Sequence, residues 1–161
     1  RIVNFSACGL AAQHAIDLLP AVAIACTNLR AIWFSENAMG DAALWGICSV
    51  ASGAHGTKAR SPLRRLKFVD ASLIGATDEG LGHLAAALVS GALPRLTDVC
   101  LAGNHISAPG VAEFLTTLYD EGFCSTASSR THPLRLDVSR SSLLTSAEDV
   151  DIVAAAVRLL R

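Results

Sequence analysis

The chain has 161 residues, a formal net charge of -1, 52% apolar residues and 17% charged residues. Those values fit one folded domain and exclude an intrinsically disordered chain. No global basic field exists, so nucleic acid and anionic membrane are not the expected partners.

In chain order, apolar alternation predicts a strand over Ile2–Phe5. Helical spacing follows over Ala12–Leu19 and should end or kink at Pro20, which lacks an N–H and clashes with the preceding turn. A strand at Ala31–Phe34 and a helix at Asp41–Ser52 come next, then a strand at Lys67–Ala71 and a helix at Asp78–Val89 with Thr77 near its N-cap. The fourth pair is Asp98–Leu101 with Pro109–Tyr119, where Ser107 or Ala108 sits near the cap and Pro109 suits a helix start. The fifth is Arg135–Val138 with Ala147–Leu160, and Ser146, Glu148 and Asp149 place acids in that helix's first turn.

Two segments interrupt this rhythm. Gly53–Pro62 and Glu121–His132 are rich in Gly, Ser, Thr and Arg and read as loop inserts on one edge. Lys58, Arg60, Arg64, Arg65 and Lys67 form a basic run, read as a solvated loop, and Ser125–Thr131 is read the same way.

The cysteines are Cys8, Cys26, Cys48, Cys100 and Cys124, with no C-x-x-C and no disulfide or zinc-ligand spacing. Cys26 and Cys48 are expected to pack as small hydrophobes. This usage fits a reducing, intracellular compartment, the cytoplasm by default. The longest apolar stretch, Leu10–Cys26, is too short and too interrupted to span a bilayer, and no secretory signal is visible.

Each predicted strand carries the same pattern, L-x-x-L-x-L-x-x-N/C-x-L. The clearest copy is Leu96, Val99, Leu101, Asn104 and Ile106; the next is Leu29, Ile32, Phe34, Asn37 and Met39. Weaker copies run through Leu66, Val69, Ala71 and Ala76, through Leu136, Val138, Ser141 and Leu143, and through Val3, Phe5, Cys8 and Leu10. Ile74 and Ser141 stand where Asn or Cys is expected, and Pro133 replaces a leading Leu. The spacing is uneven: 37, 30 and 37 residues separate Leu29, Leu66, Leu96 and Pro133.

This pattern resembles the leucine-rich repeat, and the helical second half with its long period resembles the ribonuclease-inhibitor subtype. The resemblance covers essentially the whole chain. It implies an α/β, right-handed solenoid (horseshoe) of about five repeats, with a parallel sheet on the concave side and helices on the convex side. Residues 1–161 then form a single leucine-rich repeat domain. Neither Arg1 nor Arg161 lies in a polar capping unit, so a fragment of a longer solenoid is expected. In each copy the Asn amide should bond backbone groups left unpaired by the turn.

Strand alternation assigns the outward face. The third pattern position gives Ile2, Ala31, Phe68, Asp98 and Arg135; the fifth gives Asn4, Trp33, Asp70, Cys100 and Asp137; the seventh gives Ser6, Ser35, Ser72, Ala102 and Ser139. Trp33 with Phe68 is an expected aromatic patch of hot-spot residue types, rimmed by Asp70 and Glu36. Asp70, Asp98 and Asp137 could form an acidic strip with Arg135 and Arg140 beside it, but they are read as ordinary solvated charge in preference to that. Asp98, Cys100 and His105 are close in sequence, but His105 lies beyond the turn and no oxyanion loop or family signature accompanies them. No catalytic residue, cofactor or metal is therefore expected. The expected function is a protein–protein interaction module or scaffold whose partner is another protein, with Trp33, Phe68, Asp70, Asp98, Cys100, Arg135 and Asp137 as contacts. Two alternatives stand beside it. One is a regulator (activator) of a small GTPase, which the subtype includes; the other is a structural segment of a large assembly.

Overall fold

Apolar residues at the first, fourth, sixth and eleventh pattern positions build the core. Leu29, Ile32, Phe34 and Met39 are buried, as are Leu66, Val69, Ala71 and Ala76, and Leu96, Val99, Leu101 and Ile106. The computed structural model describes residues 1–53, 62–123, 133–144 and 146–149. Strand and helix alternate: β1 (Ile2–Asn4), α1 (Ala12–Ala25), β2 (Ala31–Trp33), α2 (Asp41–Ala51), β3 (Phe68–Asp70), α3 (Asp78–Val89), β4 (Asp98–Cys100), α4 (Ala108–Asp120) and β5 (Arg135–Asp137).

The fold is α/β, with one five-stranded parallel sheet in the sequential order β1-β2-β3-β4-β5. Val3, Ile32, Val69, Val99 and Leu136 are Cα partners along its middle row. Among the described residues each helix packs on its sequence neighbours, α1 on α2, α2 on α3 and α3 on α4. Each of β1 to β4 is therefore followed by a helical return, and these units bury their apolar residues against one another.

The regular strands are shorter than their patterns predict, but the ladder continues past them. Phe34 N–H donates to the Asp70 carbonyl at 2.7 Å, and Ala71 N–H to the Cys100 carbonyl at 2.8 Å. Two residues later the backbone turns. Ala7, Glu36, Leu73, Gly103 and Arg140 all stand at the eighth pattern position, and their φ angles are 52°, 59°, 53°, 70° and 56°. A left-handed conformation costs an L-residue roughly 1–2 kcal/mol, so the ladder on one side and the buried eleventh position on the other must hold it. Gly103 alone adopts it without that cost.

Pro20 does not end helix α1, which runs through it to Ala25. Ala15, Leu19 and Ala23 form one buried row at helical spacing across the proline. Burial of that row against α2 holds the segment helical although Pro20 donates no backbone hydrogen bond. The other starts follow their local chemistry. Thr77 caps α3 by accepting from Glu79 N–H, and Ser107 caps α4 by accepting from Gly110 N–H, with Pro109 in the first turn. Ser146 and Asp149 exchange capping hydrogen bonds of 2.8 and 3.1 Å. The rest of the expected final helix, nearly all of both inserts, Lys58, Arg60, Cys124 and Ser125–Thr131 lie outside the described residues. No helix among the described residues is long and apolar enough to cross a membrane.

Candidate functional site

The in-step register turns single residues into rows. Ile2, Ala31, Phe68, Asp98 and Arg135 are consecutive Cα partners, and so are Asn4, Trp33, Asp70, Cys100 and Asp137. The middle row between them, which includes Ile32, Val69 and Val99, is buried. Alternation therefore sends the two outer rows to the opposite face of the sheet.

Two chemically distinct halves result. On β2 and β3, Trp33 and Phe68 place their ring centroids 5.3 Å apart at 43°. Both are half-buried, and neither belongs to the apolar cluster under the sheet. The pair is diagonal, because Phe68 lies opposite Ala31 and Trp33 opposite Asp70. Alanine at the third row of β2 leaves room for the rings to meet.

On β3 to β5 the face is polar. The Arg135 guanidinium donates to Asp98 Oδ1 through Nε at 2.6 Å, with Nη2 at 2.5 Å from the same oxygen. The Thr97 hydroxyl donates to Asp98 Oδ2 at 2.6 Å. Thr97 and then Arg135 hold the Asp98 carboxyl below its ordinary value. Ser72 hydroxyl donates to Asp70 Oδ1 at 2.6 Å and lies 3.0 Å from Cys100 Sγ, and that thiol donates to Asp137 Oδ2 at 3.5 Å. Ser139 N–H, donating to Asp137 Oδ1 at 2.9 Å, is the leading cause that lowers the Asp137 carboxyl. Phe68, Asp70, Asp98, Cys100, Arg135 and Asp137 line a shallow depression of about 310 Å³.

All seven expected contact residues thus share one face. The three carboxylates do not share one row. Asp98 sits in the third row, tied to Arg135, whereas Asp70 and Asp137 sit in the fifth row on either side of Cys100. The residue spacing between rows is even, so the carboxylates of successive strands fall on different rows by sequence position alone.

Cys100 and His105 do not meet. His105 Nδ1 is 2.7 Å from Ser142 Oγ, while Cys100 is engaged by Ser72 and Asp137. Cys48 is buried and its thiol is pushed up to about 12 by desolvation, as befits a small core hydrophobe. Cys26 is half-buried against the same core.

The turns that end the strands are tied across units. Asn104 is fully buried; its Oδ1 accepts from the N–H groups of Ile74, Gly75 and Ala76 at 3.0–3.1 Å, and its Nδ2 donates to the carbonyls of Ala71 and Leu101 at 2.8 Å. Asn37 likewise accepts from Cys8 and Leu10 N–H and donates to the carbonyls of Phe5 and Phe34. Each amide therefore serves the unit before its own as well as its own turn. Ile74 is tolerated in the third copy because the Phe34 carbonyl is already taken by Asn37, and its own side chain is buried in the core. Ser141 substitutes in the fifth: Ile106 N–H donates to its Oγ at 2.7 Å, and its hydroxyl faces the carbonyls of Asn104 and Ile106.

A second set of ties was not anticipated from the residues. Asp41 accepts from Thr77 N–H, the Thr77 hydroxyl and Gly80 N–H at 2.7, 2.7 and 3.0 Å. Asp78 accepts from Ser107 N–H and the Ser107 hydroxyl at 2.8 and 2.5 Å. The first acid of one helix thus caps the start of the next. The available signal was Asp just inside one helix and Thr/Ser-x-x-Gly at the start of its successor: Asp41 with Thr77 and Gly80, and Asp78 with Ser107 and Gly110.

No protein-family model and no curated protein matches this sequence.

Proposed function

We propose that the chain is a single leucine-rich-repeat domain of the ribonuclease-inhibitor-like subtype, a right-handed horseshoe of about five repeats, and that it binds another protein through its concave sheet face. It acts as an interaction module or scaffold, with no chemistry, cofactor or metal of its own. The observation that carries this reading is the Trp33–Phe68 pair, two rings in contact on the outward side of the sheet and apart from the core. Clustered aromatics on an open face, rimmed by polar groups such as Asp70, are the residue types and arrangement of an interface centre. The recurrent left-handed turn and the two buried Asn amides support the repeat reading, because they fall at the same pattern positions in successive copies.

The test is a quantitative capture from native extract with the wild-type chain and Trp33→Ala. Proteins retained by the wild type and lost by the variant support the reading when far-ultraviolet circular dichroism of the two is the same. The expected loss for a purified partner is about 1–2 kcal/mol. Equal retention by both moves the contact surface away from the rings.

A further inference from the structure

Cations without an ion-pair partner among the described residues gather where the strands begin, and Asp98, the acid at that end, is tied to Arg135. Each of β2, β3 and β4 begins after a tight turn closed by a buried leucine: Leu29 N–H donates to the Cys26 carbonyl, Leu66 N–H to Leu63 and Leu96 N–H to Leu93. The segments that make these turns and lead into the strands, 26–30, 62–67 and 92–97, contain Arg30, Arg64, Arg65, Lys67 and Arg95 and no Asp or Glu. Arg30, Arg64, Lys67 and Arg95 are exposed. None of the five side chains has an ion-pair partner among the described residues. Arg30 and Lys67 occupy the same position of neighbouring units, since Lys67 N–H donates to the Arg30 carbonyl at 2.8 Å. Adjacent strands lie about 4.8 Å apart, so Arg30 and Lys67 enter the sheet side by side.

The rings lie on the strands that Arg30 and Lys67 lead into. Phe68 follows Lys67, and Trp33 is three residues beyond Arg30, roughly 10 Å along the strand. Beyond the rings the sign reverses, with Asp70 in the fifth row and Glu36 at the turn.

We infer that the strand-start edge receives an acidic, extended polypeptide segment, whose carboxylates face Arg30, Lys67 and the adjoining arginines while an apolar side chain seats on Trp33 and Phe68. This rests on the protein-binding reading above and names the chemistry of the partner. A peptide fits both signs, because its acidic side chains meet the cations while its neutral backbone amides face Asp70. A nucleic acid fits less well, since its phosphates would continue towards Asp70 and Glu36.

The experiment measures fluorescence anisotropy of the 161-residue chain with a short labelled peptide of alternating Glu and Ser around one central Phe. The comparison probes are its Lys-for-Glu counterpart and an oligothymidylate of equal charge. The expected result is binding of the acidic peptide that weakens with salt and falls by about tenfold or more in Arg30→Glu/Lys67→Glu. Arg30→Gln/Lys67→Gln gives a smaller loss in the same direction and guards against a folding defect. Tighter binding of the oligothymidylate, equal binding of the Lys peptide, or indifference to the charge changes overturns the inference. A Lys peptide that binds and is released by Trp33→Ala keeps the ring surface and rejects the charge assignment. An acidic peptide released by charge reversal but not by Trp33→Ala keeps the cationic edge and rejects the rings as its anchor.

Discussion

Where the strands end, Asn37, Asn104 and Ser141 are buried, and each bonds backbone of its own unit and of the preceding one, or of the preceding one alone. Where they begin, Arg30, Arg64, Lys67 and Arg95 stand exposed with no ion-pair partner among the described residues, next to two rings that the core does not use. The contrast separates two kinds of work. The buried polar groups at the ending edge are spent inside the molecule, so they fix the stack. The exposed cations at the starting edge remain available to another molecule. Substitutions at the first should change stability, and substitutions at the second should change association.

The largest effect is expected from Asn104→Ala. It leaves the N–H groups of Ile74, Gly75 and Ala76 and the carbonyls of Ala71 and Leu101 without their amide partner. Leaving buried polar groups unpaired costs about 1–3 kcal/mol each, tempered by rearrangement, so a loss of about 3 kcal/mol is expected in a urea melt. A change below about 1 kcal/mol would erase the distinction between the edges, since ordinary surface substitutions reach only about 0.5 kcal/mol.

Gly110→Ala comes next. A Cβ there would collide with the Asp78 side chain, the group that holds Ser107 N–H and its hydroxyl. Overfilling such a site costs about 1–3 kcal/mol, read again from denaturant melts. Gly82→Ala on α3, where the added carbon meets nothing within 4 Å, is the internal control and should be neutral or slightly stabilising through helix propensity.

Trp33→Ala should cost about 1 kcal/mol of stability through the lost ring pair, well below Asn104→Ala, while reducing association. A stability loss as large as that of Asn104→Ala would place Trp33 among the residues that hold the fold and weaken its assignment to binding.

The smallest effect is electrostatic. Asp98 and Asp137 have carboxyls lowered in the folded chain, so the unfolded chain binds protons first as pH falls. Their contribution is complete above the unfolded value of 3.8 and is lost as pH drops through the lower folded values. Both sites are solvent-accessible, which keeps the slope shallow. Asp98→Asn should flatten the part of the acid slope that Asp98 carries, measured as urea midpoint against pH; a slope unchanged in that variant would show that the Thr97 and Arg135 contacts to this carboxylate contribute nothing to the fold.

Much of this architecture is written in residue order. Leu96, Val99, Leu101 and Ile106 locate a strand and its turn because a parallel strand with one buried face must alternate, and because each buried position recurs at fixed offsets. The same alternation places all seven candidate contact residues on one face without any knowledge of neighbours. Helix starts at Thr77 and Ser107 are equally local, since a hydroxyl and the amides it accepts from lie within three residues. Tertiary structure decided what depends on a second unit. Pro20 stays helical because α2 covers the row on either side of it. Ile74 can replace an Asn because a side chain 37 residues earlier already holds the Phe34 carbonyl. Asp41 and Asp78 reach helix starts in the next unit. Even the cationic edge emerges only when turns separated by some 30 residues are stacked side by side. Local patterning fixes which way a side chain faces; which groups it meets there is set by register, and register is a property of the stacked units.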